Sequence, residues 1–343
     1  METFSKIIAV TLNPAIDRVI EVPGFHTGGH QRGKRRARYP AGKAVNVART
    51  MAMLGQTCTA TGLVGQPELP WYRNYLAQQS SAPSATSAEP LIDCRFVGVA
   101  GHTRENISII DPQTTGSDTH LVEQGFAVRP EELSELREVL SPLARQGCLV
   151  AFCGSLPEGL TTSHFEKLLE LCLDGGASVM VDSSGEALRA AAQFPLWLVK
   201  PNREELAELV GQSIDSPAQQ HSAARKLAQT IRWVLVSNGS EGAMLVDEQQ
   251  SWRAKAEIAP EDVVGTVGCG DALVGGFLAG WQQADREGDS GGDSDQPPLA
   301  ALRRGVATAC FAATQLSRNV DFAEVAALEE RVALSPITAE ESR

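Results

Sequence analysis

An α/β fold with a mostly parallel sheet, covered by helices on both faces, is predicted for this 343-residue chain. Three observations predict it. Short apolar runs alternate with stretches of helical periodicity, the rhythm of a parallel sheet. Glycine-rich turns follow several of those runs, at the place where open α/β sheets bind ligands. Two stretches break the rhythm and read as extended segments joined by turns, a pattern that ordinary surface hairpins share.

The elements follow in order. Residues 6–12 are an apolar run fit for a buried strand, and Ala44, Val47, Ala48, Met51 and Leu54 mark one face of a helix ending at Gly55. The next strand is expected over 57–63. From 149 onward, strands at 149–152, 178–181, 197–199 and 233–237 alternate with helices at 162–173, 186–192, 204–210 and 218–229. Leu273, Phe277 and Trp281 recur at helical spacing, so a further helix begins at about Cys269. Segments 17–22, 95–110 and 119–123 are the extended stretches. Residues 282–298, acidic and low in complexity, are expected to form a disordered loop, and the Ser- and Ala-rich 80–89 a flexible connection.

The helix that starts at Cys269 carries the most informative segment. Gly268 and Gly270 let the backbone approach an anion closely, and amides at a helix start, aided by the dipole, hold phosphate oxygens. Asp271 follows at once. A carboxylate there can take the proton of an attacking hydroxyl, so the turn reads as a phosphoryl-transfer site. Structural capping by Asp271 is the competing account. A dinucleotide fingerprint fits poorly, because Gly268-x-Gly270 lies late in the chain rather than after a first strand.

Composition narrows the classes. The 43% hydrophobic content is ample for a core, no run approaches the roughly 18 apolar residues of a membrane span, and the amino terminus has no signal pattern. A soluble, cytoplasmic protein is expected. Seven cysteines, an odd number without a C-x-x-C pair, fit reduced thiols better than disulfides or a zinc site. The net charge of -12 argues against nucleic acid as a partner. Anionic substrates must then be drawn by local positive charge, and the basic run 32–38 is a candidate for steering them, or else a solvated face.

The segment 265–278 resembles the carboxy-terminal signature of the ribokinase-like sugar kinases known as the PfkB family. Five further segments match in order: 11–17, 41–49, 154–157, 181–188 and 198–206. The resemblance spans nearly the whole chain and lies closest to the phosphosugar branch of 1-phosphofructokinase, tagatose-6-phosphate kinase and the minor 6-phosphofructokinase. It implies a ribokinase-like three-layer α/β/α domain over 1–343, with a small β-lid built from about 15–40 and 92–125. In that family the lid closes over the sugar and often makes the dimer contact.

The resemblance also implies roles. Asp271 is the catalytic base, and Gly268, Cys269 and Gly270 form the anion hole. Asp17 accepts hydrogen bonds from sugar hydroxyls, Gly42, Lys43 and Asn46 converge on the substrate phosphate, Arg104 grips the phosphosugar, and Ser155 completes that side. Lys200, Asn202, Ser237, Asn238, Gly239, Ser240, Glu241 and Gly242, with Gly270, make the ATP side. Asn202 and Glu205 match the Asn-x-x-Glu pattern that holds Mg²⁺ largely through water. Read without the family, Asn202 is a helix cap, Glu205 a dipole-compensating acid and 237–242 a hairpin turn.

The expected reaction is ATP-dependent phosphorylation of fructose 1-phosphate at its 6-hydroxyl. Tagatose 6-phosphate or the minor-type 6-phosphofructokinase substrate is the alternative, and a non-catalytic sensor the remoter one; a pure binder has no need of Asp271. Cys269 stands where the family has alanine, and Asn238 where leucine or lysine is common. After Gly65, residues 66–70 replace the family's Gly-x-Asp-x-x-Gly, which puts that loop's ligand contact in doubt.

Overall fold

Alternation along the first strand, β1 (Lys6–Thr11), sets the layers: Ile7 and Ala9 enter one apolar core, Ile8 and Val10 the other. The computed structural model describes residues 2–79, 90–113, 118–287, 296–315 and 320–337. The chain leaves β1 for two strands of a separate sheet, β2 (Ala15–Glu21) and β3 (Lys34–Ala41), and returns through α1 (Lys43–Met53), β4 (Cys58–Gly65), α2 (Leu69–Gln79) and β5 (Ile92–Val99). It leaves again for β6 (Arg104–Ile110) and β7 (Asp118–Val122). Regular alternation follows: α3 (Pro130–Leu140), β8 (Cys148–Cys153), α4 (Thr162–Asp174), β9 (Ser178–Asp182), α5 (Gly185–Ala191), β10 (Leu198–Val199), α6 (Arg203–Val210), α7 (Pro217–Leu227) and β11 (Trp233–Ser237). The remainder is β12 (Ala243–Val246), β13 (Ser251–Lys255), α8 (Cys269–Glu287), α9 (Pro297–Ala313), α10 (Phe322–Glu329) and β14 (Ala333–Pro336).

Among the described residues the main sheet has ten strands in the order β14-β13-β12-β11-β10-β9-β8-β1-β4-β5. Pairing is parallel from β5 through to β11, and antiparallel at the β12–β14 end. Helices α1, α2, α8 and α9 pack on one face; α3, α4, α6 and α7 pack on the other. A strand buried on both faces must be apolar throughout, and the β8 segment Leu149–Cys153 is buried at every position. The three-layer α/β/α expectation therefore holds.

The lid is a four-stranded sheet, β3-β2-β6-β7, with β2 antiparallel to β3 and parallel to β6. The basic run 32–38 thus falls largely within β3, where Arg36 pairs with Glu21 and Arg38 with Glu105. Lid and body meet at a hinge held from below by Tyr72, fully buried on α2. Its hydroxyl reaches the carbonyl of Ala15, where β2 starts, and it accepts at 3.4 Å from the amide of Ala41, where β3 ends.

Two sequence expectations need correction. Residues 92–99 do not belong to the lid: β5 pairs with β4 as the edge of the main sheet. An edge strand with polar Asp93 and Arg95 alternating with buried residues reads like a lid strand. The loop expected at 282–298 is helical at both ends, because α8 runs to Glu287, with Ala284 continuing its buried face, and α9 starts at Pro297. Residues 288–295 of that loop, and the 80–89 connection, lie outside the described residues.

Candidate active site

Strand ends converge here. The carboxyl ends of β1, β8, β9 and β10 point to one edge of the sheet, and the first turns of α1 and α8 face them. Gly42 is the N-cap of α1 with φ 114°, a conformation that an L side chain resists, and an added Cβ would sit 3.1 Å from Pro14 Cα. That tight turn places Lys43 and Asn46 in the opening turn of α1.

Asp271 occupies the first turn of α8 and is buried, and its Oδ2 accepts a hydrogen bond from Asn46 Nδ2 at 2.7 Å. The turn expected to hold the substrate phosphate and the turn expected to form the anion hole thus meet at the carboxylate, through residues 225 apart in the chain. Gly268 has φ 86°, which turns the chain into the helix. Cys269 is half-buried, its thiol donating to Gly265 O at 3.8 Å. Lys200 follows β10, is buried, and brings its ammonium to 3.7 Å from the position a Cβ would take on Gly270.

Asp182, which ends β9, was assigned no task from the sequence. It is fully buried, and its Oδ1 accepts from Lys43 Nζ at 3.1 Å and from Lys200 Nζ at 3.3 Å. Burial alone would pull the Lys43 ammonium down, but Asp182 and Asp271 outweigh it and hold the group well above the ordinary lysine range. Position was the available signal: Asp182 closes a parallel strand. Asn13 was overlooked in the same way. Its Nδ2 donates to Ser155 Oγ at 3.1 Å and its carbonyl accepts from Arg104 Nη2 at 3.3 Å, so it joins two expected substrate residues.

Asp17 lies on β2, buried, accepting from Asn106 Nδ2 at 3.0 Å. Arg104 opens β6, half-buried, with Nε donating to Pro14 O at 3.2 Å. Its basicity is lowered by burial, against which Asp17 acts. The replaced loop after Gly65 has a structural task, since Glu68 accepts from Thr103 N at 2.9 Å and contacts His102 Nδ1 at 2.8 Å, fixing the lid hinge.

For the Asn202–Glu205 pair, expected on the nucleotide side, the geometry shows the capping reading. Asn202 caps α6: its Oδ1 accepts from Glu205 N at 2.8 Å, and Glu205 Oε2 accepts from Asn202 N at 2.8 Å. One carboxylate oxygen of Glu205 stays outside that box. Ser237 pairs with Asn202 in an isolated parallel bridge, which sets 237–242 beside the end of β10. Asn238 Oδ1 accepts from Gln220 at 2.6 Å, and Gly242 at φ 79° passes so close to Ala254 O that a Cβ would stand 2.0 Å away. Ser240 is exposed and Glu241 turns outward to Lys255 Nζ at 3.0 Å, so neither side chain joins the cluster. Among the described residues there is no group of three or more His, Cys, Asp or Glu able to hold a metal.

Comparison with known proteins gives concordant results. The family described as pfkB family carbohydrate kinase matches residues 10–322. The 1-phosphofructokinase of Bacillus subtilis is 32% identical over 275 residues, covering 80% of this chain and 85% of the relative. That of Escherichia coli is 31% identical over 334 residues, 96% and 98% of the two chains. Escherichia coli phosphofructokinase-2, solved with substrates and products, superposes with a TM-score of 0.81 at 26% identity over 95% of this chain and 98% of that one. The same enzyme in a tetrameric inhibited form gives 0.79 at 25% identity, with the same coverage.

Proposed function

The chain belongs to the pfkB family of carbohydrate kinases, and from that premise we propose that it transfers the γ-phosphoryl group of ATP to the 6-hydroxyl of fructose 1-phosphate. The products are fructose 1,6-bisphosphate and ADP. It is an ATP-dependent sugar-phosphate kinase, similar across nearly its full length to 1-phosphofructokinases. The observation that carries the reading is the Asn46–Asp271 hydrogen bond, which orients a buried carboxylate between the turn read as the phosphosugar site and the turn read as the anion hole.

Phosphoryl transfer asks for alignment and charge more than for covalent help. Asp17, Arg104 and Ser155 hold the sugar, with Gly42, Lys43 and Asn46 on its phosphate. Asp271 takes the 6-hydroxyl proton as the new O–P bond forms and the bond to the β-phosphate oxygen breaks. Gly268, Cys269 and Gly270 line the anion hole, and Lys200 adds positive charge beside Gly270. The 237–242 turn contacts ATP mainly through its backbone, in keeping with the outward direction of Glu241. Mg²⁺, when bound, spreads the charge of the nucleotide phosphates. Asn202 and the Glu205 carboxylate oxygen left outside the capping box would form the protein side of its site, with water and phosphate supplying the rest.

The single kinase domain spans the whole chain. It assembles as a homodimer through the lid, whose edge strand β7 exposes Leu121 and Val122. No helix among the described residues is long and apolar enough to cross a membrane, and we place the enzyme in the cytoplasm. A coupled ADP-release screen over phosphorylated and free ketoses, with product identification by phosphorus NMR, tests the reading. Fructose 1-phosphate should give the highest kcat/KM; preference for tagatose 6-phosphate or fructose 6-phosphate would move the assignment to those branches.

A further inference from the structure

Asp182 is a fully buried carboxylate whose single oxygen Oδ1 holds two ammonium groups that come from different parts of the chain. Lys43 belongs to the turn read as the phosphosugar site, and Lys200 to the segment read as the nucleotide site. Two like charges this close repel strongly away from water. Without an anion between them, one would swing away or lose its proton. A plain structural ion pair would need only one lysine, and it would not stand beside the Gly270 turn.

We propose that Asp182 is a positioning residue, which holds the Lys43 and Lys200 ammonium groups together at the junction of the sugar-phosphate and nucleotide sites so that both face the phosphoryl group in transfer. Asp182 touches neither substrate in this account and acts through the lysines. The proposal rests on the phosphotransfer reading above.

The groups around Lys43 define the readout. It is faced by Asp182 from β9, Asp271 from α8, Glu205 from α6 and Lys200 beyond β10, with Cys153 of β8 beside Asp182 in the sheet register. Burial favours the neutral amine, and the three carboxylates oppose it. Removing the charge of Asp182 takes away the largest opposing influence. Lys43 should then lose its proton at lower pH, which adds an alkaline limb to the kcat profile of the variant.

The test compares wild type, Asp182→Asn, Asp182→Glu, Lys43→Ala and the Asp182→Asn/Lys43→Ala double variant, each checked for folding by thermal melting. Asp182→Asn should lower kcat about 10²-fold, the loss typical of a misplaced catalytic group, with a new alkaline limb; Asp182→Glu should recover part of the rate. Lys43→Ala should cost much less on the Asp182→Asn background than on the wild type, because the two act as one unit. Independent, multiplicative losses would overturn the proposal, as would a loss that excess Mg²⁺ restores. NMR titration of lysine-labelled wild type covers the case in which the Asn variant does not fold. Lys43 should stay protonated above the ordinary lysine range, and titration below it would equally overturn the proposal. Absence of turnover by the wild type on every ketose phosphate would count against the functional reading, while the NMR titration, which needs no catalysis, would still test the coupling of Lys43 to Asp182 on which the proposal stands.

Discussion

Asn46 holds Asp271. The side-chain amide on the first turns of α1 donates at 2.7 Å to the carboxylate at the start of α8, and both residues are buried. A hydrogen bond to a charged group contributes about 1.5–3 kcal/mol, so its loss is large enough to be read in kinetics. Asn46→Ala should lower kcat by about tenfold to a hundredfold while leaving the KM for ATP nearly unchanged. Steady-state kinetics with saturating ATP checks this; a fall in ATP affinity alone would place Asn46 elsewhere in the site.

Arg104 should act on one substrate only. It is tied to the backbone of Asn13 and Pro14, beside Asp17, far in sequence from the nucleotide segments. Arg104→Ala should raise the KM for the sugar phosphate by the equivalent of about 1.5–3 kcal/mol, with little change for ATP. Equal loss for both ligands would remove it from the phosphosugar site, and so would a wild type that prefers unphosphorylated ketose.

Thiol chemistry should single out Cys269. Burial pushes the thiols of Cys58 and Cys153 far up, that of Cys172 up to about 12 and that of Cys94 up to about 11. A raised thiol pKa means less thiolate at neutral pH and slower alkylation. Cys269 is only half-buried, at the start of α8 in the turn proposed as the anion hole. Alkylation should inactivate the enzyme, MgATP should protect it, and Cys269→Ala should keep activity while losing sensitivity. Peptide mass mapping reads the outcome; labelling confined to other cysteines would leave Cys269 as a packing residue.

How much of this was legible depended on the kind of signal. The strand–helix alternation was clear because strands buried on both faces, such as Leu149–Cys153, are nearly uninterrupted apolar runs. Glycines with φ near 90° or above, at 42 and 268, marked the turns that hold Lys43 and Asp271. Asp182 and Asn13 stand at or just after strand ends, which was the only local signal; they escaped because their partners, Lys43 and Ser155, lie 139 and 142 residues away. Edge strand β5 was misread for a related reason. Half-buried alternation looks alike in a lid and at a sheet edge, and only pairing with β4 separates them. Helix α2 was missed because residues 66–70, with two prolines, read as a loop, whereas Leu69 and Pro70 open the helix and Glu68 anchors the hinge.

The most direct measurement is the turnover of Asp271→Asn with fructose 1-phosphate and MgATP, set beside calorimetric affinities for both ligands. The amide keeps the shape of the carboxylate and its contact distance to Asn46 but cannot take the hydroxyl proton. Both affinities should stay within a few-fold of wild type, while kcat falls by at least about 10²-fold, the usual cost of losing a general base. A folded variant that turns over at a near-normal rate would contradict the account, because the proton of the attacking hydroxyl would then leave by another route.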